Sequence, residues 1–176
     1  MPYAVIAAWD NQFRVSRYNY VEAEAEAIAI VDKLHGVGPD ALPPVKQAPN
    51  AYYVLMPAAP AGTAGFQHRA RFWVADPVNG TVSFDTAFCH EWQSKVTSRG
   101  IDTEADIRAD KIFSPDNPSR AARVKSEMPD GAKKDALVTR VAALQTTAQT
   151  LKDSLVAMTP EQVLGVKPAD DARWPE

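Results

Sequence analysis

The sequence is poor in the residues that most often carry chemistry. Its 176 residues include one cysteine, Cys89, and three histidines, His35, His68 and His90. A single cysteine excludes an intrachain disulfide and a thiolate metal cluster built from this chain alone. The histidines are scattered, and none has the spacing to a second histidine or a carboxylate that zinc sites use. We therefore expect no metal ion and no cofactor.

Long apolar runs are also missing. No stretch approaches the roughly 18 apolar residues of a membrane-spanning helix, and the segment from Met1 to Ile6 has no basic region of the kind that opens a signal peptide. We therefore expect no signal peptide and no membrane insertion. The expected location is a cytoplasm, or a particle assembled there.

The charge balance disfavours a general nucleic-acid-binding protein. The formal net charge is −3, whereas nucleic-acid binding usually needs a basic face. Arg69 and Arg71 alternate with aromatic residues near Phe72, a pattern that can hold single strands. The same pattern is typical of a strand with a solvated basic face, and we do not expect nucleic acid as a partner.

Residues 1–100 are predicted to form an α+β head domain with a mostly antiparallel sheet. Short apolar or alternating runs predict strands, the acidic start of the stretch before Gly36 predicts a helix, and Phe88, Trp92 and Val96 recur four apart in a helix that should end at Gly100. The predicted order is strands Tyr3–Trp9 and Phe13–Tyr18 around a turn at 10–12, helix Val21–His35, strands Ala51–Met56, His68–Ala75 and Thr81–Asp85, and helix Thr86–Arg99.

The remainder is predicted to be helical, in three segments. Residues 101–131 should hold connectors and two short helices, one capped by Thr103 and one opened by Asn117 and Pro118. A long helix is expected over residues 132–158. Residues 159–176 should form a short helix and a polar tail, because Thr159 and Gln162 have the spacing of a capping box.

The long helix carries an apolar stripe in which steps of four and three residues alternate without a gap. Burying its larger side chains is worth on the order of 10 kcal/mol, so this face needs a covering surface. It either packs on the chain's own domain or binds copies of the chain or other assembly proteins. The stripe, here called the seam, consists of Leu137, Val141, Leu144, Ala148, Leu151, Leu155 and Met158.

Cys89, next to His90, offers an alternative interpretation as a small cysteine-dependent enzyme. A cysteine nucleophile needs a base close in space and a lowered thiol pKa. Neighbouring residues on a helix point about 100° apart, so His90 is poorly placed to activate Cys89. We therefore favour a buried, inert cysteine and expect no enzymatic activity.

A β-rich head, proline connectors, the helix from Leu137 to Met158 and the Thr159 cap together resemble the architecture of small structural or assembly proteins of bacteriophage tails and fibres. The resemblance implies a non-enzymatic structural or interaction protein in an oligomeric assembly, such as a tail, baseplate or fibre-attachment component of a virion. A transient chaperone of tail-fibre assembly is the alternative in the same class.

Overall fold

The computed structural model describes residues 3–8 and 13–175. The chain divides into two compact units, Met1–Cys89 and His90–Glu176. The fold is α+β, as predicted, with two small antiparallel sheets in the first unit and helices after them.

Five strands form the two sheets of the first unit. The three-stranded sheet has the order β2-β1-β3, and the β4-β5 hairpin forms the second sheet. The predicted turn at 10–12 lies outside the described residues, but the strands on either side of it pair antiparallel as expected. The strands are β1 Tyr3–Ala8, β2 Phe13–Val21, β3 Tyr52–Leu55, β4 Trp73–Asp76 and β5 Thr81–Phe84.

Strand β1 is buried on both of its faces. Successive side chains of a strand point to opposite sides, so Ala4 and Ile6 belong to one core cluster and Val5 and Ala7 to another. The first cluster is completed by Met56, Trp73 and Val82 from the rest of the unit. The second contains Ala27, Val31 and Leu34 of helix α1, which spans Glu24–His35.

Helix α1 confirms most of its sequence prediction. Ala27, Val31 and Leu34 are buried, and Glu24 and Glu26 lie in the first turn, where the helix dipole favours negative charge. The helix ends at Gly36, whose φ of 78° is the left-handed conformation that glycine adopts without strain.

The predicted strand His68–Ala75 is wrong over its first half. Residues Ala70–Phe72 form a 3₁₀ turn, and β4 starts only at Trp73. The turn buries Phe72 completely against Phe66, with the two rings edge to face at 5.6 Å between centroids. Burying an aromatic pair of this kind outweighs the strand preference of the segment.

Helix α2 spans Thr86–Phe113 without interruption, so the predicted end at Gly100 and the separate helix capped by Thr103 are wrong. The Thr103 hydroxyl donates to the carbonyl of Arg99 at 2.8 Å, a bond made inside a helix rather than at its start. Ile101 and Ala105 are buried in the core of the second unit. Their burial is worth more than the roughly 1 kcal/mol that a mid-helix glycine costs.

Three more helices complete the second unit. A 3₁₀ turn at Pro118–Arg120 leads into α3 Ala121–Glu127, while α4 Ala132–Ser154 ends in a 3₁₀ turn at Leu155–Ala157. Helix α5 spans Pro160–Gly165. The predicted capping box is confirmed, since Gln162 N–H donates to the Thr159 hydroxyl and Thr159 N–H to the Gln162 side chain.

Candidate docking surface

Part of the seam is buried in the structure, and the rest is half-buried. Its later part is buried against α2, α5 and the C-terminal segment of the same unit, where Ile101, Val163 and Trp174 complete the cluster. The chain's own helices therefore cover this part, which is the first of the two interpretations left open by the sequence. The buried seam residues are Leu144, Ala148, Leu151 and Leu155.

The first two seam residues are left partly accessible. Leu137 and Val141 are half-buried, and Val138 beside them is 45 % exposed. Residues four and three apart on a helix share a face, so Leu137 and Val141 continue the buried stripe for two further turns. Met158, at the other end, is half-buried against the core cluster. Leu137 and Val141, which lie one helical turn apart, are here called the accessible seam.

A hollow of about 340 Å³ adjoins this part of the seam. The buried seam residue Leu144 is one of its lining residues, and Arg140, another, lies one helical turn after Leu137. Its volume falls within the range of small-molecule and side-chain binding pockets. The hollow is lined by Arg108, Lys111 and Ile112 of α2, Arg140, Ala143 and Leu144 of α4, and by Pro115 and Pro175.

The lining combines apolar side chains with three cationic ones, and over the part of the chain that the structure describes it contains no acidic residue. Arg108 is held in place: its Nε donates to Glu104 at 2.7 Å, its Nη2 donates to the Ala169 carbonyl at 3.0 Å, and it lies over the Trp174 ring. Glu104 therefore offsets the charge of Arg108.

Cys89 has none of the properties of a nucleophile. Its side chain is fully buried, and burial raises the pKa of the thiol to about 11, with Asp85 adding to the rise and Arg69 opposing it. A thiol with so high a pKa is almost entirely protonated at neutral pH. The geometry disfavours the cysteine-dependent alternative.

His35, His90 and Arg69 make contacts within the fold. His90 Nε2 lies 3.0 Å from the Leu155 carbonyl oxygen and His35 Nε2 lies 2.9 Å from that of Ala51. The Arg69 guanidinium lies over the Phe66 ring at 5.1 Å. Among residues 3–8 and 13–175, no group of three or more potential metal ligands comes together.

The hollow is the feature that sequence reasoning missed. The sequence shows that Arg140 lies beside the seam. It also shows that Lys111 follows Arg108 by three residues, so the two share a helix face. Nothing in the sequence, however, indicated that α2 runs on past Gly100 and brings Lys111 and Ile112 to the side of Arg140. The hollow depends on a tertiary pairing of two helices.

None of the described helices has both the length and the apolar character needed to cross a bilayer. No protein-family model, curated protein or solved structure matches the chain.

Proposed function

We propose that the chain is a non-enzymatic structural or interaction protein that associates with copies of itself, with other proteins of a larger assembly, or with both. The observation that carries the proposal is the accessible seam, Leu137 and Val141, next to a hollow lined by both apolar and cationic side chains. Apolar surface beside a polar rim is the usual composition of a protein–protein interface.

The proposed contact surface is smaller than the sequence pattern suggests. Because Leu144 and Leu151 belong to the core of the second unit, an aspartate at either position would unfold the unit rather than release a partner. The surface open to another molecule is limited to the turns around Leu137 and Val141 and to the hollow beside them. A contact of this size favours reversible association over an obligate interface.

A bacteriophage tail or fibre is the assembly that we propose for this protein, on the strength of the architectural resemblance. Within that proposal, a virion component remains in the finished particle, whereas a chaperone of fibre assembly leaves it. Mass spectrometry of purified particles distinguishes the two roles: peptides of this chain at a fixed ratio to the tail proteins support the virion component, and their absence supports the chaperone.

Self-association through the accessible seam is tested with Leu137→Asp and Val141→Asp combined. Two charges on this face are expected to reduce the native mass to the 19.2 kDa of one chain, because an ion is strongly disfavoured in an apolar interface. Light scattering after size-exclusion chromatography measures the mass, and circular dichroism checks the fold.

The matched control is Ala142→Asp with Thr146→Asp. These two residues are exposed, lie four apart on the same helix and face away from the seam. The control should retain the native mass of the unmodified chain. Equal masses for the seam variant and the unmodified chain would show that this face does not mediate association.

A further inference from the structure

The turn that joins β4 to β5 holds an asparagine directly before a glycine. Asn79 and Gly80 are both exposed, and Gly80 has a φ of 62°, the left-handed conformation that glycine adopts without strain. Apart from its chain neighbours, no heavy atom lies within 4 Å of the place where a Cβ of Gly80 would stand. The Gly80 backbone nitrogen is therefore open to approach by the Asn79 side chain.

Two other asparagines of the chain lack such an open nitrogen after them. Asn50 is also exposed in a turn, but the N–H of Ala51 donates to the carbonyl three residues before it at 2.9 Å. Asn117 precedes Pro118, whose nitrogen carries no hydrogen. In the described part of the chain, by contrast, no group accepts a hydrogen bond from the Gly80 N–H.

We propose that Asn79 is a site of spontaneous deamidation in the folded protein, and that the carboxylate formed next to Asp76 loosens the β4–β5 hairpin. The Gly80 nitrogen, having lost its proton to solvent hydroxide, attacks the Asn79 Cγ. A carbon–nitrogen bond forms, the Cγ–Nδ2 bond breaks, and Nδ2 takes up a proton and leaves as ammonia. Water then opens the cyclic imide at either carbonyl, and the product is aspartate or isoaspartate.

Asp76, the last residue of β4, makes the hairpin sensitive to this change. Its Oδ2 accepts from Asn79 Nδ2 at 2.7 Å, and its Oδ1 accepts from the N–H groups of Val78 and Asn79 at 3.0 Å and 3.1 Å. These bonds, that of the Asn79 side chain first, hold the pKa of Asp76 below its ordinary value, so the carboxylate is charged at neutral pH. Deamidation removes the shortest of the three bonds and sets two carboxylates against each other.

The first experiment follows deamidation of the folded full chain at mildly alkaline pH, by peptide mapping with mass spectrometry. Asn50 is the matched internal control, since it too is exposed in a turn. Asn79 should be converted at least about tenfold faster than Asn50, because only glycine leaves the attacking nitrogen unshielded. Isoaspartate in the product is detected with an isoaspartyl methyltransferase and a labelled methyl donor. Asn79→Gln should remove the signal, because glutamine closes the larger ring far more slowly.

The second experiment measures hydrogen exchange of the β4 and β5 amides. Asn79→Asp reproduces the aspartate product and should raise their exchange rate at least about threefold, by an amount that shrinks as salt is added. Asp76→Asn combined with Asn79→Asp swaps donor and acceptor, so the side-chain hydrogen bond can form again and the exchange rate should return towards that of the unmodified chain. The matched control, Asn50→Asp, adds the same charge at another exposed turn and should leave β4 and β5 unchanged.

The proposal is overturned if Asn79 is converted no faster than Asn50, or if Asn79→Asp leaves the exchange of β4 and β5 as it is in the unmodified chain. It is also overturned if the swapped pair exchanges as fast as Asn79→Asp alone. The native mass, which tests the proposed function, is a separate measurement that none of these results affects.

Discussion

The Cys89 side chain, at residue scale, shows how burial and charge decide reactivity. It is fully buried near the start of α2, and burial, reinforced by Asp85, raises the pKa of the thiol to about 11 from an ordinary value near 9. Two pKa units correspond to about a hundredfold less thiolate at a given pH below both values. The thiol is therefore both inaccessible and unreactive.

This burial predicts slow thiol labelling in the folded protein. At pH 8 an aromatic disulfide reagent should react with Cys89 at least about a hundredfold more slowly in buffer than in denaturant, because the thiolate is scarce and shielded. The control is Ala87→Cys in a Cys89→Ala background, which places a thiol at an exposed position of the same helix. Native labelling of Cys89 as fast as that of the control would restore the cysteine-dependent alternative.

Thr159 is a second residue whose local contacts predict a measurable cost. Its hydroxyl accepts from the Gln162 backbone N–H at the start of α5, so Thr159→Ala removes one half of the capping box. The free energy of unfolding should fall by about 1 kcal/mol in chemical denaturation. Thr146→Ala, at an exposed mid-helix position, is the control and should have little effect; equal losses would contradict the capping role.

At the scale of elements, α2 shows that tertiary packing can override local helix-end signals. Gly100 and Thr103 look like the end of one helix and the cap of another, yet the helix continues through both. The reason is the i, i+4 stripe formed by Gln93, Thr97, Ile101 and Ala105, all of which are buried. Two of these residues are polar and gave no apolar pattern, so the buried face could not be recognised from the sequence.

The polar members of that stripe are accommodated by hydrogen bonds. Thr97 donates to the Val163 carbonyl at 3.3 Å and accepts from the Gln93 amide at 3.4 Å. The apolar spacing in the sequence indicated Phe88 and Val96 instead, which remain 42 % and 44 % exposed. A buried polar side chain is stable where it finds a partner, and the sequence does not show that partner.

Because α2 continues through Gly100, replacing this glycine should stabilise the protein. Its φ is not in the left-handed region, and a Cβ there would meet only the Pro168 ring at 3.4 Å. Gly100→Ala should therefore raise the free energy of unfolding by about 0.5–1 kcal/mol, because alanine loses less backbone entropy within a helix. Chemical denaturation monitored by circular dichroism measures the change.

Gly36→Ala is the contrasting substitution. At a φ of 78° an added Cβ would crowd the Gln47 side chain and strain the backbone, so this variant should be less stable than the unmodified chain. A destabilisation by Gly100→Ala as well would contradict an unbroken α2.

Other elements follow from local chemistry alone and were predicted correctly. Gly36 ends α1 and Thr159 opens α5, since both signals act within a few residues of the chain. The seam was also correctly identified as apolar, but its periodicity does not reveal what covers it. The structure shows that Ile101 and Trp174 of the same unit cover its later half.

At the scale of the whole molecule, the chain combines a sheet-containing unit and a helical unit, each with its own apolar core. The second unit buries most of the seam and leaves Leu137 and Val141 partly open beside the hollow.

The central claim is that the accessible seam brings copies of this chain together, and the native mass of the purified chain at several concentrations tests it most directly. We predict a mass above 19.2 kDa that rises with concentration by light scattering, as expected for a small reversible interface. A mass of one chain at every concentration would contradict self-association through Leu137 and Val141.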